Sequence, residues 1–242
     1  MIKIKSLFIS DLHLGNVNSQ ASKVLNVFKE YEFENLFIVG DFIDMTSMKR
    51  KFYWHKDHFT VIQKILRLSR KGVNVIYIIG NHDSYVRHLI ENDRINLGDI
   101  TICNEYIYKS IKGEKIYITH GDQFDGFILT HPFLYWMGDK AYEISIKINK
   151  IYNIFRKIFG YNYWSLSQYL KTKVKNVIQF VSEYEKWANI KIKEKNCDSI
   201  LMGHTHCAKI IDGKYYNTGD FVESFTYIIE QPNGDMLLKK CN

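Results

Sequence analysis

The sequence predicts an α/β fold, because apolar runs typical of strands alternate with patterns typical of helices. Short apolar runs that end in polar residues recur along the chain: IKSLFIS, NLFIVG, VNVIYIIG, KIYITH and DSILMG. Between the first three runs lie stretches in which apolar residues are three and four positions apart. Such alternation is typical of a sheet covered by helices, and the unbroken apolarity of the runs indicates strands buried on both faces.

The two helical patterns come first in the chain. The first places Val24, Leu25, Val27 and Phe28 on one face, and the second covers residues 59–66. We therefore predict two helices that connect the first three strands.

From Phe127 to about Lys195 the pattern changes to long helices without strand signals. This stretch includes FILTHPFLYWMG and IYNIFRKIFGYNYW, which are rich in aromatic residues and Ile, and many lysines, among them Lys140, Lys147 and Lys150. Apolar and basic faces on one helix are typical of a segment that lies on an anionic membrane or holds an acyl chain. Helices that pack one face on a sheet and expose lysines on the other would give the same pattern.

The last part of the chain returns to strand-like runs. The stretch KIIDGKYYNTGDFVESFTYIIEQPNGDMLLKK contains Asp-Gly, Thr-Gly and Asn-Gly turns, which predict a β-meander. We therefore predict a single domain over residues 1–242, with a helical insertion at about 127–195.

Composition agrees with a compact cytosolic protein that binds an anionic partner. The 242 residues are 46% hydrophobic, contain two prolines and carry a net charge of +7. This charge allows nucleic acid, anionic lipid or a phosphorylated small molecule as partner. No apolar run approaches the ~18 residues of a membrane span, the N-terminus lacks the apolar core of a signal peptide, and the scattered cysteines predict free thiols.

Polar residues follow each predicted strand in turn: SDLHLG, GDFID, GNHDSY, THGD and MGHTHC. Ligands bind at the carboxyl ends of strands in open α/β sheets. If the strands stayed extended, Asp11 and His13 would point to one side, as would His204 and His206. Together these motifs supply seven candidate metal ligands: Asp11, His13, Asp41, Asn81, His120, His204 and His206.

Carboxylate and imidazole ligands without thiolate predict two divalent transition metals, with Mn²⁺ expected and Fe or Zn as alternatives. Seven ligands are too many for one tetrahedral ion, whereas two ions that share a carboxylate would use them all. Such a pair stabilises both the attacking and the leaving oxygen of a phosphoryl displacement.

The motif series D-x-H, G-D-x-x-D, G-N-H-D, H-G-D and G-H-T-H closely resembles that of the calcineurin-like metallophosphoesterase superfamily. The resemblance implies a four-layer α/β/β/α sandwich. It also implies that Asp11, His13 and His206 hold one metal, that Asn81, His120 and His204 hold the other, and that Asp41 bridges them.

The resemblance places His82 on the phosphoryl or leaving oxygen and suggests Asp83 as its orienting partner, so both are predicted catalytic residues. A histidine that only hydrogen-bonds within the turn is the simpler alternative. Asp122 and Asp125 are predicted either to orient His120 or to contact a sugar, or else to be ordinary loop residues.

Within the superfamily, SDLHLG, GNHDSY, NTGDFVES and the helical insertion resemble the UDP-2,3-diacylglucosamine hydrolases of lipid A biosynthesis. Those enzymes release UMP and a diacylated sugar phosphate, and their insertion acts as a lid over the acyl chains. This implies a peripheral position on the inner membrane. Lys171, Lys173 and Lys175 are candidates to bind a diphosphate or the phosphates of a nucleic acid. The described members have arginine where His82 stands, so the chain resembles a branch that keeps histidine.

Three other functions are compatible with parts of the sequence. A pyrophosphatase or phosphodiesterase acting on another nucleotide or lipid would use the same chemistry. A nuclease would use the lysines, but no aromatic and basic β platform for bases is evident. A scaffold without catalysis is expected to have lost metal ligands, and all seven are present.

Overall fold

The computed structural model describes residues 1–90, 94–127, 148–161, 164–165 and 175–241. The chain forms two compact units, one of Met1–Asp122 with Ala188–Asn242 and the other of Gln123–Trp187. Among the described residues, no helix is both long and apolar enough to cross a membrane.

The first unit contains a seven-stranded mixed sheet, with strands numbered here in chain order. Its spatial order is β12 (Met236–Lys240), β11 (Thr226–Glu230), β1 (Ile2–Ile9), β2 (Tyr31–Val39), β3 (Asn74–Ile78), β5 (Ile100–Cys103) and β4 (Arg94–Leu97). Strands β1, β2, β3 and β5 are parallel, while β11 runs antiparallel to β1. The carboxyl ends of the parallel strands therefore meet at one edge of the sheet.

A five-stranded mixed sheet belongs to the same unit. Its order is β6 (Glu105–Lys109), β7 (Lys115–Thr119), β8 (Ser199–Met202), β10 (Tyr215–Asn217) and β9 (Lys209–Ile211). Strands β7, β8 and β10 are parallel. The THGD motif lies at the end of β7, and the MGHTHC motif lies at the end of β8.

The helices of the described chain lie mainly in the connections between strands. They are α1 (Ala21–Glu30), α2 (Met45–Arg50), α3 (Lys56–Arg70) and α4 (Lys175–Glu194), with short 3₁₀ helices at Ser84–Leu89 and Asp122–Phe127. Residues 148–158 are also helical. The predicted helices at 24–28 and 59–66 are thus α1 and α3.

Side chains of β1 alternate between two cores. Leu7 and Ile9 belong to the core that includes Val24 and Val27 of α1. Phe8 belongs to a second core, shared with strands of the five-stranded sheet, and stacks on Phe37 of β2 with ring centroids 4.7 Å apart. Because both faces of the sheet are buried, its strands are apolar throughout, and the predicted α/β fold with two packed sheets is confirmed.

The predicted C-terminal meander is wrong in its pairing. Strands β9 and β10 form a hairpin in the five-stranded sheet, whereas β11 and β12 form a hairpin in the seven-stranded sheet. The Thr218-Gly219 stretch therefore connects two sheets rather than two paired strands. Turn residues specify a local reversal, but the partner of a strand depends on tertiary packing.

The predicted insertion is described only in part. FILTHPFLYWMG lies almost entirely outside the described residues, as do Lys140 and Lys147. The single domain with its lid therefore remains a prediction.

Candidate metal centre

All seven predicted metal ligands follow the carboxyl end of a strand. Asp11 and His13 follow β1, Asp41 follows β2, Asn81 follows β3, His120 follows β7, and His204 and His206 follow β8. Because these strands are parallel to their neighbours within each sheet, the two sheets bring the seven side chains together at one edge.

One group of contacts surrounds Asp11. Its Oδ1 lies 3.1 Å from Nε2 of His206 and 3.9 Å from Nε2 of His13. Nε2 of His13 also lies 3.6 Å from Oδ2 of Asp41. This is the set that the family resemblance assigns to the first metal.

A second group surrounds His120. Its Nε2 lies 3.2 Å from Oδ1 of Asn81 and 3.4 Å from Oδ2 of Asp41. The ring of His204 packs edge-on against that of His120, with centroids 5.0 Å apart. The same Asp41 oxygen therefore approaches both groups, which is the position a bridging carboxylate needs.

The chemistry of these groups fits divalent cations. Within the described residues, ligand atoms within 4.8 Å of one another occur in Asp11, His13 and His206, in His13, Asp41 and His82, and in Asp11, Asp41 and His120. Nε2 of His13 is buried and has no hydrogen-bond partner among the described residues. A buried nitrogen without a partner is costly unless it binds a proton or a cation.

The protonation of the site also suits a cation. Burial by itself would raise the pKa of Asp11, but the charge of His206 and its hydrogen bond lower that pKa to about 2. Burial opposes ionisation of Asp41 as well, yet His120 holds the pKa of Asp41 well below its ordinary value. Both carboxylates are therefore ionised at neutral pH, as metal ligands must be.

His120 is oriented by a backbone carbonyl. Its Nδ1 donates to the carbonyl of Val39 at 2.9 Å, so Nε2 is the nitrogen that faces Asp41 and Asn81. Gly40 makes this approach possible, since a Cβ there would lie 2.1 Å from Nδ1 of His120. The prediction that Asp122 or Asp125 orients the second nitrogen of His120 is wrong, because the Val39 carbonyl already occupies that position.

The backbone at the site is strained. Five of the seven predicted ligands have left-handed φ: Asp11 52°, His13 47°, Asp41 49°, His204 63° and His206 54°. Such a conformation costs roughly 1–2 kcal/mol for a residue with a side chain. Strain of this kind clusters at functional sites.

These φ values correct one step of the sequence argument. We predicted that extended alternation would place Asp11 with His13 and His204 with His206. Instead, β1 ends at Ile9 and β8 at Met202, and the pairs lie on left-handed turns beyond the strands. The spacing in the sequence predicted the correct pairs of residues, but the backbone conformation that brings each pair together differs from the predicted one.

His82 contacts Asp44. Nδ1 of His82 lies 2.8 Å from Oδ1 of Asp44, while Nδ1 of His13 lies 3.3 Å from its Oδ2. The His82 side chain is 31% exposed and that of Asp44 is 1% exposed. Although burial would raise the pKa of Asp44, the hydrogen bonds from His13 and His82 lower it, so the carboxylate is ionised. Sequence reasoning gave Asp44 no role, although it is the second aspartate of the quoted GDFID motif.

The prediction that Asp83 orients His82 is wrong. Asp83 is fully buried, and its carboxylate accepts hydrogen bonds from the Phe42 amide at 2.8 Å, the Gly80 amide at 2.6 Å and the Tyr77 hydroxyl at 2.5 Å. It fixes the turn that carries Asn81 and His82. The turn directs the Asp83 carboxylate toward backbone amides. Asp83 and His82 are therefore adjacent in sequence, but the carboxylate does not bind the His82 ring.

The predicted substrate contacts lie in different places. Asp122 pairs with Arg87 at 2.7 Å, and Asp125 accepts a hydrogen bond from the Tyr184 hydroxyl. Lys171 and Lys173 lie outside the described residues, and Lys175 begins α4 but its side chain is not described. The substrate contacts remain predictions.

Comparison with known proteins identifies the family. The sequence pattern described as calcineurin-like phosphoesterase matches residues 4–208. The chain belongs to the calcineurin-like phosphoesterase family. Members of this family are phosphoester hydrolases that use divalent metals, so the predicted family and enzyme class are confirmed.

Curated relatives carry a more specific name. Proteins named UDP-2,3-diacylglucosamine hydrolase match from Histophilus somni strain 129Pt (31% identity, 49% of each chain), Psychromonas ingrahamii (23% identity, 99% of each chain) and Neisseria meningitidis serogroup A (26% identity, 82% of this chain and 81% of the relative). The chain spans about half the length of the Histophilus relative that it matches.

Solved structures are similar at lower identity. The phosphoesterase YfcE of E. coli matches with a TM-score of 0.45 and 16% identity, over 99% of this chain and 100% of that one. Vacuolar protein sorting 29 of Cryptosporidium parvum matches with a TM-score of 0.46 and 12% identity, over 97% of this chain and 94% of that one.

Proposed function

We propose that the protein is a two-metal hydrolase that cleaves the pyrophosphate bond of UDP-2,3-diacylglucosamine to UMP and 2,3-diacylglucosamine 1-phosphate, as part of lipid A biosynthesis. The observation that carries the hydrolytic part is the convergence of His13, His120 and Asp11 on Asp41, with Nε2 of His13 buried and without a hydrogen-bond partner among the described residues. The name shared by the relatives supports the substrate.

Two divalent cations, with Mn²⁺ as the expected metal, would neutralise charge on the reacting phosphate and lower the pKa of water. Asp11, His13 and His206 would hold one of them and Asn81, His120 and His204 the other, with Asp41 shared. The Val39 carbonyl keeps the Nδ1 proton on His120, so that Nε2 faces the shared site.

His82 acts on the departing oxygen. Asp44 contacts Nδ1 of His82 and so fixes the ring, which leaves Nε2 free to give a proton to the bridging oxygen of the diphosphate. The oxygen of water forms a bond to one phosphorus as the bond from that phosphorus to the bridging oxygen breaks. Partial exposure of His82 beside buried ligands is the arrangement that such a role requires.

The direct test is to incubate the Mn²⁺-loaded protein with UDP-2,3-diacylglucosamine and to measure UMP. We expect UMP from the native chain and none from Asp41→Asn. Turnover of bis(p-nitrophenyl) phosphate without release of UMP would reject the lipid substrate but keep the hydrolase. In that case another nucleotide or lipid phosphoester becomes the leading substrate.

We also propose that the protein is cytosolic and binds the inner membrane through residues 148–158. Two asparagines of this helix make contacts within the protein: Asn149 is 3% exposed, and Asn153 exchanges two hydrogen bonds, at 2.7 and 2.8 Å, with the backbone of Trp164. Its large aliphatic residues and Phe155 are exposed, namely Ile148, Ile151, Ile154, Phe155 and Ile158, at 50–71%.

The charges beside these apolar residues favour an anionic bilayer as the occupant. Lys150 and Lys157 are exposed on the same helix, and the whole chain carries a net charge of +7. Apolar side chains flanked by lysines bind anionic membrane interfaces, where both burial and charge contribute.

Sedimentation with phosphatidylglycerol vesicles tests the membrane proposal. A variant with Ile151→Ser, Phe155→Ser and Ile158→Ser should lose binding, whereas the matched exposed substitution Leu66→Ser on α3 should not. Unchanged binding of the triple variant would reject this surface. If the protein forms concentration-dependent dimers and does not bind vesicles, the exposed apolar residues of this helix would instead contact a second copy of the chain.

A further inference from the structure

Arg87 joins the two chain segments that carry Asn81 and His120. Its Nη2 donates to the carbonyl of Ile79 at 3.1 Å and to Oδ2 of Asp122 at 2.7 Å. Ile79 is two residues before Asn81, and Asp122 is two residues after His120. The guanidinium therefore connects the two segments that carry predicted ligands of the second metal.

Most donors of this guanidinium remain available. An arginine side chain has five N–H donors, and both contacts use Nη2. Nε and Nη1 donate to none of the residues that the structure describes. The Arg87 side chain is 35% exposed, whereas its partner Asp122 is 9% exposed. Arg87 is thus anchored through Nη2, and its other donors are not used by any residue that the structure describes.

The anchoring gives Arg87 properties suited to a phosphate. A guanidinium presents parallel donors that match two oxygens of one phosphate, and a fixed guanidinium loses less side-chain entropy on binding. The single carboxylate partner, Asp122, does not use all the N–H donors of the Arg87 guanidinium.

The position of Arg87 indicates which phosphate it meets. The reacting phosphate has to lie among Asp41, His13 and His120, which are at most 5% exposed. Arg87 contacts Asp122 and Ile79 and none of these three residues, and its side chain is more exposed. A diphosphate whose reacting phosphorus lies at the metals would extend its second phosphate toward this outer position.

We propose that Arg87 is a substrate-binding residue that donates to the non-reacting phosphate of a diphosphate substrate, with Asp122 as its positioning residue. The inference rests on the proposed hydrolase and adds a preference: diphosphate compounds are bound better than simple phosphodiesters.

The test compares two inhibitors of the Mn²⁺-loaded full chain, inorganic pyrophosphate and inorganic phosphate, with Mn²⁺ in excess over both. Binding is measured by calorimetry and by competition against bis(p-nitrophenyl) phosphate. The Arg87→Ala variant loses charge-assisted hydrogen bonds to the inhibitor, so it should bind pyrophosphate about 10-fold or more weakly than the native protein does. Phosphate binding and turnover of the simple diester should change less than about 3-fold, and Arg87→Lys should be intermediate.

Three controls keep this test independent of folding and of the lipid substrate. Arg67→Ala, an exposed arginine on α3, should leave both inhibitors unaffected. Asp122→Asn should weaken pyrophosphate binding less than Arg87→Ala, since the guanidinium remains. Metal content should be unchanged in every variant.

If Arg87→Ala weakens phosphate and pyrophosphate binding equally, or if Arg87→Lys loses metal, then Arg87 only stabilises the two segments and the proposal is overturned. Unchanged binding of both inhibitors would also overturn it. Because neither inhibitor contains lipid, a failure to hydrolyse UDP-2,3-diacylglucosamine would leave this result interpretable.

Discussion

The first unit contains two buried polar clusters that differ in how completely their atoms are paired. At Glu230 on β11, one carboxylate oxygen accepts from the Ser6 hydroxyl at 2.8 Å and the Tyr108 hydroxyl at 2.6 Å, and the other from the Ile111 amide at 2.8 Å. At the metal centre, Asp11 and Asp41 lie close to histidines, and Nε2 of His13 has no hydrogen-bond partner among the described residues.

The two clusters also differ in backbone strain. Glu230 and its partners Ser6, Tyr108 and Ile111 lie outside the set of left-handed residues, which includes Asp11, His13 and Asp41. A paired cluster on relaxed backbone stabilises the fold by itself. A strained cluster that is incompletely paired needs a further component, and a cation supplies the missing charge.

The largest expected effect comes from Asp41→Asn. Removing the shared carboxylate should lower kcat by about 10³-fold or more, because metal stabilisation of the reacting phosphate is worth several kcal/mol. Metal content measured by mass spectrometry should fall. The thermal unfolding temperature of the metal-free protein should also fall, because the lowered pKa of Asp41 means that its ionised form stabilises the fold. Full metal content in the variant would contradict the shared role of Asp41.

His82→Ala should have the next largest effect. Loss of a proton donor lowers the rate by about 10²–10⁴-fold, and metal content should be unchanged, since His82 is not among the seven predicted ligands. Asp44→Asn should lower kcat less than His82→Ala does, because the ring remains but loses its ionised partner. Loss of metal from His82→Ala would show that it is a ligand.

Glu230→Ala should affect stability and not metal binding. It removes the acceptor shared by the hydroxyls of Ser6 and Tyr108. Because these hydroxyls lie 2.8 Å apart and can pair with each other, one buried donor is left unsatisfied, at a cost of about 1–3 kcal/mol. Urea unfolding should show the loss, and bound metal per folded chain should equal that of the native protein. A selective loss of metal would remove the distinction between the clusters.

Ser6→Ala should have the smallest effect. It removes one of the donors to Glu230 and leaves the hydroxyl of Tyr108 and the amide of Ile111 in place, so we expect a loss of about 1 kcal/mol in the free energy of unfolding. Urea unfolding measures it, with Thr60→Ala on the exposed face of α3 as a control. A loss as large as that of Glu230→Ala would mean that the cluster depends on the Ser6 hydroxyl.

Local signals were sufficient for several parts of the protein. The apolar runs located β1, β2, β3, β7 and β8, because strands buried on both faces leave little choice of residue. Spacing of apolar residues located α1 and α3. The motif residues at the strand ends gave all seven side chains that the structure brings together. By contrast, β4, β5 and β6 were missed, since most residues of β4 and β6 are exposed and β5 is only four residues long.

The sequence by itself determined the α/β class, the family and the chemical identity of the candidate ligands, because these depend on residue type and on short spacing. Only the tertiary structure decided which groups act on one another: Asp44 rather than Asp83 contacts His82, the Val39 carbonyl orients His120, and Arg87 joins the segments of Asn81 and His120. These contacts connect residues from different strands, and left-handed turns set their direction. Neither the register between strands nor a left-handed φ at Asp or His is encoded in spacing along the chain.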